Sequence, residues 1–500
     1  MRPVRIVLIA AALALLSQPA LTSPASGAPS PAATGLAALG LGQAGRWFTD
    51  ATGRVAVLHG VNQVYKVAPY TPSSDGFGDD DATFLAANGL DAVRLGVIWA
   101  AVEPLPGHYD DAYLDSIATT VHTLAAHGIV SQLDFHQDLY NEKYQGEGAP
   151  AWAVADDLLG QLLPNPALGF PGNYLANPSE WHTWDQFWGN ASAADGVGLQ
   201  DHYARAWAHV AARFAGDRAV AGYDVINEPF PGTLFQTCLV PLVGCPLFDA
   251  GPLSAFYNRV DAAIRAVDPG HTVYIEPNVF FTQADVTGLQ SPAGARRGLS
   301  FHDYCSTEEL TANNALCPPQ DDLTVGSADT FARSHGMPAL LTEFGATDDL
   351  ANIASVMQIA DKYRTGWLEW AYTGHDKTSS SPDGQALVLD PSLPPVGGNV
   401  VTDKLRTLAE PYPQLVAGTP DPWSFSAGVF RLSYSTARVD GSGAFPAGAI
   451  TEIAVPAIQF PGGYRVTVSG ASVVSAPNDP TLRIASLPGA RAVQVVVTAA

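Results

Sequence analysis

Lysine is nearly absent, with five in the whole chain, and arginine does not make up the difference: 25 basic residues stand against 48 acidic ones, a formal charge of −23. No basic run is long enough to track a phosphate backbone, which excludes nucleic acid as a partner. An acidic surface of this kind keeps a protein soluble and leaves fold and substrate open. Cysteine is scarce too. The four present fall in two local pairs, Cys238 with Cys245 and Cys305 with Cys317, and none of the spacings is the CxxC of a zinc or redox site. No HExxH metal motif and no GxSxG nucleophile elbow occurs. Long apolar runs are also missing: the one near the N-terminus, Ile6 to Leu16, is shorter than the roughly 17 to 25 residues needed to span a bilayer.

That short run follows Arg2 and Arg5 and precedes a Ser, Pro, Ala and Gly stretch with cleavage positions near Gly27 or Ala28, so residues 1–28 read as a secretory signal peptide. The alternative is an uncleaved anchor. Residues 29–44 carry no charge and read as a flexible lead-in. An exported chain sits where disulfides persist, and two short loop-closing bridges are expected. Of the three possible connectivities, the nearest-neighbour one is favoured by proximity alone.

Hydrophobic residues make up 47% of the chain and recur in short runs between polar or glycine-containing turns. Eight β-rich runs end at Asn62, Gly96, near Phe135, and at Asn227, Asn278, Tyr304, Glu343 and Trp370. Helical spacing lies between several of them, as in Asp110 to His127, His202 to Phe214 and Pro252 to Val267. Eight strands alternating with helices predict an α/β fold closed into a (β/α)8 TIM barrel over residues 45–410. The longest interval, after the third strand, holds Trp152, Trp181, Trp184 and Trp188. Either these walls a cleft or they pack the insertion's own core. Past Pro411 helical periodicity gives way to alternating runs and proline turns, predicting a C-terminal all-β sandwich domain over 411–500. Its role, whether ligand binding or support of the barrel, stays open.

Polar side chains gather where the inferred strands end: Arg94, His136 with Asp138, Asn227 with Glu228, His302 with Tyr304, Glu343 and Trp370. In a barrel those ends converge on the catalytic face. Asp224-Val-Ile-Asn227-Glu228-Pro229 and Ala339-Leu-Leu-Thr-Glu343-Phe-Gly345 each deliver a carboxyl at a strand exit, and two carboxyls facing each other across a substrate are what glycoside cleavage needs. Arg94 and the Tyr304 hydroxyl would keep Glu343 ionised, while Glu228, without such a cation, would keep its proton. Asn227 would reach a sugar 2-hydroxyl, and Trp370 would offer a face to a pyranose. His136, Asp138, His302 and Asp303 are ligand types for a competing metal site, but lack a metal-binding spacing; no metal and no cofactor is expected.

Arg94, His136, Asn227-Glu228, His302-x-Tyr304, Glu343 and Trp370 resemble, in order, the strand-end pattern of clan A glycosidases and of glycoside hydrolase family 5. The resemblance implies Glu228 as acid/base and Glu343 as nucleophile of a retaining double displacement, with carboxyls roughly 5 Å apart. Within the family, Asp134-Phe-His-Gln-Asp138-Leu-Tyr-Asn, Gly146-Glu-Gly-Ala-Pro-Ala-Trp152, Asn62 to Lys66, Tyr274-Ile-Glu-Pro-Asn278 and the C-terminal β-domain look like the endoglycoceramidases. That implies cleavage between glycan and ceramide of glycosphingolipids presented in micelles or membranes, with His136, Asp138 and Lys66 on the first sugar. A greasy loop after the fourth strand, carrying Leu234, Phe235, Leu239, Val240, Leu242, Val243 and Leu247, suits a leaving group with hydrocarbon chains, or else packs on the barrel helices. The other readings are a glycolipid β-glucosidase or endo-galactosyl enzyme on the same scaffold, a polysaccharide endoglycanase, and a non-catalytic glycolipid-binding protein.

Overall fold

The computed structural model describes residues 33–240, 243–292, 294, 296–305, 307, 313–374 and 383–500. The expected signal peptide, the first residues of the expected lead-in and Leu242 of the greasy loop lie outside them. The rest of the lead-in is ordered structure, not a flexible tether. Gly35–Leu39 forms a short helix that buries Leu36 and Ala37, and Thr34 donates its backbone N–H to Ala125 and its hydroxyl to Ala126, closing the end of the helix Asp111–Ala126. Small apolar side chains without charge are what such a contact uses.

Three strands follow: β1 (Leu41–Ala44), β2 (Trp47–Asp50) and β3 (Val55–Ala56). They belong to the sandwich and not to the barrel, which corrects the boundary expected at residue 45. The barrel itself runs through β4 (His59–Gln63), β5 (Ala92–Val97), β6 (Val130–Phe135), β7 (Val220–Asp224), β8 (Thr272–Ile275), β9 (Arg297–Asp303), β10 (Ala339–Phe344) and β11 (Gly366–Glu369), all parallel and closed by the β11–β4 pair. Their buried runs leave little alternation, as expected of strands covered on both faces. The helices Asp111–Ala126, Leu199–Phe214 and Ser254–Arg265 lie where helical spacing places them.

The sandwich continues with β12 (Tyr412–Val416), β13 (Thr419–Pro420), β14 (Ser424–Ser426), β15 (Val429–Ser435), β16 (Ile450–Ala454), β17 (Tyr464–Ser469), β18 (Ala471–Val473), β19 (Thr481–Ser486) and β20 (Ala492–Ala499). One sheet has the order β1-β2-β3-β12-β16-β19-β18; the other is β13-β15-β20-β17, with β14 on β15. Their inward residues form a separate core around Trp423, Phe430, Ile453 and Val495. The sandwich docks on the end of the barrel where strands begin. His59, first residue of β4, is stacked between Trp367 of β11 and Tyr412 of β12, with ring centroids at 4.2 and 3.7 Å, and the Tyr412 hydroxyl donates to Gly89. The opposite end, where strands finish, is thereby left to the βα loops.

Candidate active site

Arg94, buried in β5, organises that end. Its guanidinium donates to Glu343 at 2.5 Å, to Asp224 at 3.0 Å and to the amide oxygen of Asn227 at 2.9 Å, and lies 3.1 Å from Asp134 and 3.9 Å from Glu276. Asn62 accepts from it at 3.3 Å while its own amide donates to carbonyls of Thr342, Leu368 and Glu369, fixing the fork between strands. A planar five-donor group is the side chain suited to so many acceptors at once.

Glu228 and Glu343 face each other over His302. One His302 nitrogen, Nδ1, lies 2.9 Å from Glu228 and 3.6 Å from Glu343, and an oxygen of each carboxyl falls with it inside a 4.8 Å circle. The Tyr304 hydroxyl donates to the second oxygen of Glu343 at 2.8 Å, as the sequence predicts. Glu228 sits in the left-handed region at φ +43°, a conformation that costs a non-glycine residue free energy and concentrates at functional sites. Its N–H donates to Glu276 at 3.1 Å and Pro229 follows it. Burial, aided by the negative charge of Asp138, pushes the Glu228 carboxyl up to about 7. Burial also drives His302 down to about 4, so it faces the two carboxyls as a neutral ring. Asn227 has one amide hydrogen committed to the Gln137 carbonyl at 3.0 Å.

Lys66, His136, Asp138 and Trp370 form the adjoining corner. The Lys66 ammonium donates to Asp138 and lies 4.4 Å over the Trp370 ring; His136 is parallel to that ring at 5.3 Å and bonds Asp134 at 2.7 Å. Burial disfavours charge on His136, but Asp134 outweighs it and raises the ring to about 9. Trp370 stands at the mouth of the barrel, yet only 3% of it is exposed. It is a wall shared with Lys66 and His136 more than an open platform.

Four carboxyls at this mouth escaped the sequence reading of the site: Asp134, Asp224, Glu147 and Glu276. Glu276 was findable, since it directly follows β8 as Glu228 and Glu343 mark their own strand exits. Of the competing metal set, His136 and Asp138 meet with Glu147, and His302 meets with Glu228 and Glu343, but Asp303 turns away to Asp321. Ligand types thus converge twice, with the Lys66 ammonium already on one of the carboxylates.

The tryptophans of the long insertion pack into a core that the insertion shares with neighbouring elements. Trp184 is buried and parallel to Trp188 at 5.7 Å, Trp152 meets Trp99 edge-on, and Trp181 packs on Phe235. In the greasy loop Phe235 is buried, whereas Leu239, Val240, Val243 and Leu247 are exposed, as are Leu158 and Leu162 of the insertion. Cys238–Cys245 and Cys305–Cys317 are the two bridges.

Comparison with known proteins agrees with this geometry. The family model for cellulase of glycosyl hydrolase family 5 matches residues 50–376, and that for the glycoside hydrolase family 5 C-terminal domain matches residues 411–497. Endoglycoceramidase I of Rhodococcus hoagii is 35% identical, with 87% of this chain and 83% of that protein covered, and an endoglycoceramidase of Hydra vulgaris is 28% identical over 84% and 81%. The solved structure of endo-glycoceramidase II from Rhodococcus sp. with ganglioside GM3 superposes with a TM-score of 0.73 at 30% identity, covering 91% of this chain and 99% of that one. A structure of the same protein as a lactosyl-enzyme intermediate gives the same TM-score at 32% identity, over 90% and 99%. The chain belongs to glycoside hydrolase family 5.

Proposed function

We propose that this chain is a secreted endoglycoceramidase that hydrolyses the β-glycosidic bond between the oligosaccharide and the ceramide of glycosphingolipids by double displacement. Glu343, which accepts hydrogen bonds from Arg94 and Tyr304, attacks the anomeric carbon, and Glu228 gives its proton to the departing ceramide oxygen. In the second step Glu228 takes a proton from the water that displaces Glu343, so the anomeric configuration is retained. The 4.8 Å limit on the carboxyl oxygens supports retention, because inverting enzymes hold their carboxyls about 6.5–9.5 Å apart to admit a water. Lys66, His136, Asp138 and Trp370 form a polar and aromatic corner suited to sugar hydroxyls, and Asn227 has an amide hydrogen to spare for a 2-hydroxyl.

The observation that carries the substrate class is the pairing of that polar corner with an apolar lip on the loop that begins at Glu228. A lip of Leu239, Val240, Val243 and Leu247 suits hydrocarbon chains leaving with the aglycone and a substrate presented in a micelle or membrane. The relatives named endoglycoceramidase support the same reading. Export rests on the charge and apolar pattern of residues 1–28 and on two disulfides.

The test is incubation with a ganglioside and detergent, with mass spectrometry of both products and Glu228→Gln and Glu343→Gln as controls. Intact glycan plus ceramide, lost in both variants, supports the reading. Sugar trimmed singly from the glycan end, or glucose released from glucosylceramide alone, overturns it in favour of an exo-acting glycolipid glucosidase.

A further inference from the structure

Beside the acid/base stands a corner with three carboxyls and two cations. Lys66 is bound to Asp138, and His136 to Asp134 at 2.7 Å. Glu147 is left over: its carboxyl lies 3.7 Å from Lys66 and 4.0 Å from His136, beyond hydrogen-bond reach of either, and it is buried. It nevertheless comes within 4.8 Å of Asp138 and His136 together. The backbone forces this approach. Asp138 and Glu147 exchange N–H to carbonyl bonds of 3.1 and 2.9 Å, and glycines flank Glu147 because nothing larger fits: a Cβ on Gly146 would fall 1.8 Å from the Asp138 carbonyl, and one on Gly148, at φ +128°, 2.3 Å from Gln137.

Two buried carboxyls pressed together do not both ionise when the cations beside them, Lys66 and a His136 already paired with Asp134, leave one of them unbalanced; that one keeps a proton and donates it to the other. The ammonium decides which, since it is on Asp138. We infer that Glu147 is held as a carboxylic acid that donates its proton to Asp138, making it a positioning residue that fixes Asp138 and Lys66 for the sugar. Burial and the neighbouring Asp138 carboxylate, opposed by Lys66, push its proton affinity far up; among the described residues the groups facing it are Lys66, His136 and Asp138, and the Tyr70 hydroxyl also feels its charge. Through Asp138 it also sets the charge felt by Glu228, whose proton Asp138 helps to retain. One anion, not two, then stands behind the acid. This rests on the reading of Glu228 as the acid.

A neutron density map of the unaltered full chain at about pH 7 reads the proton without any turnover: deuterium on Glu147 facing Asp138 is expected, and a bare Glu147 carboxylate overturns the proposal. Kinetics on a soluble aryl β-lactoside give a second readout. Glu147→Gln, a neutral isostere, is expected to leave the basic limb of kcat/KM in place. Glu147→Leu, which removes the donor, should raise KM roughly tenfold or more with a smaller change in kcat, the scale of a lost hydrogen bond to a charged group. A fall of the limb by about half a pH unit or more in Glu147→Gln means that a negative charge was removed, and also overturns it. If the unaltered protein does not cleave the lactoside, the glycan assignment fails while the map still reports the proton.

Discussion

Glu228 and Glu343 are chemically identical, and their surroundings separate them. Glu343 receives the guanidinium of Arg94 and the hydroxyl of Tyr304, while Glu228 touches a neutral His302 and is buried to about 7. A group titrating there loses its proton as pH rises through about 7, so kcat/KM should decline above that value. Glu228→Gln should abolish this limb and cost about 10²–10⁴-fold in rate on a natural glycolipid. Stability falls with rising pH as well. The folded value is raised above the ordinary 4.5, so the folded state loses stability relative to the unfolded as pH climbs from that range through about 7. Glu228→Gln should therefore melt higher than the parent at about pH 8, with the gap closing by about pH 4, as scanning calorimetry at the two pH values would show. Arg94 is the opposite case: Arg94→Met strands several buried carboxylates and is expected to cost about 3–5 kcal/mol in a urea titration. In the sequence Glu228 and Glu343 were legible because each is a carboxyl delivered where an apolar run gives way to polar residues, and Arg94 because it is a lone cation within such a run. Asp134 and Asp224 were not, although they lie at the ends of β6 and β7, since their partner Arg94 is distant in sequence and their function shows only once it is seen beside them.

At the scale of elements, the barrel strands were readable to within a few residues because an apolar run bounded by a polar exit is a local signal. The pairing of β3 with β12 was not, as no local pattern announces a partner hundreds of residues away. The tryptophan insertion stays open in the sequence for a related reason: composition alone does not say which way a ring turns. Two elements carry tests. The bridge Cys238–Cys245 closes a short loop on which the apolar lip rides. Replacing both cysteines by serine should cost about 2–3 kcal/mol by loop-closure entropy. It should also raise KM for a micellar ganglioside while sparing a soluble aryl glycoside, and comparison of the two substrates checks this. Where barrel meets sandwich, His59 is buried with neither ring nitrogen bonded, and burial holds it well below 6.5. A depressed histidine lends stability that is present above its unfolded value and lost as pH falls through and below 6.5. Neighbouring Asp91, raised to about 7 by burial, works with the opposite sign. The comparison that isolates His59 is His59→Phe against the parent: the variant should keep the stacking and lose less stability between about pH 6.5 and 4.5 in thermal melts.

For the whole molecule, a charge of −23 and a leucine-rich rim pull in different directions. Leu158, Leu162 and Leu247 are 74, 72 and 73% exposed, and all lie on short helices within the connections that leave the strand-exit end. Among the described residues no helix is long and apolar enough to cross a membrane. Contact of this rim with a lipid surface is expected to be driven by apolar burial and not by attraction to anionic headgroups. Vesicle co-sedimentation should show binding to zwitterionic vesicles that weakens with added anionic lipid, and the triple change of these leucines to serine should abolish it without slowing hydrolysis of a soluble aryl glycoside. Binding that grows with anionic lipid would refute this.

The partnership of β1–β3 with β12 has a consequence for how the molecule is made. Emerging from a ribosome, the strand Val55–Ala56 waits beside a barrel still under construction, its outer edge without a mate until the last fifth of the message has been read. Completion of the polypeptide is then itself the event that seals the structure, and a product released at the barrel's end would carry every group of the catalytic mouth together with an open edge inviting association with its own kind.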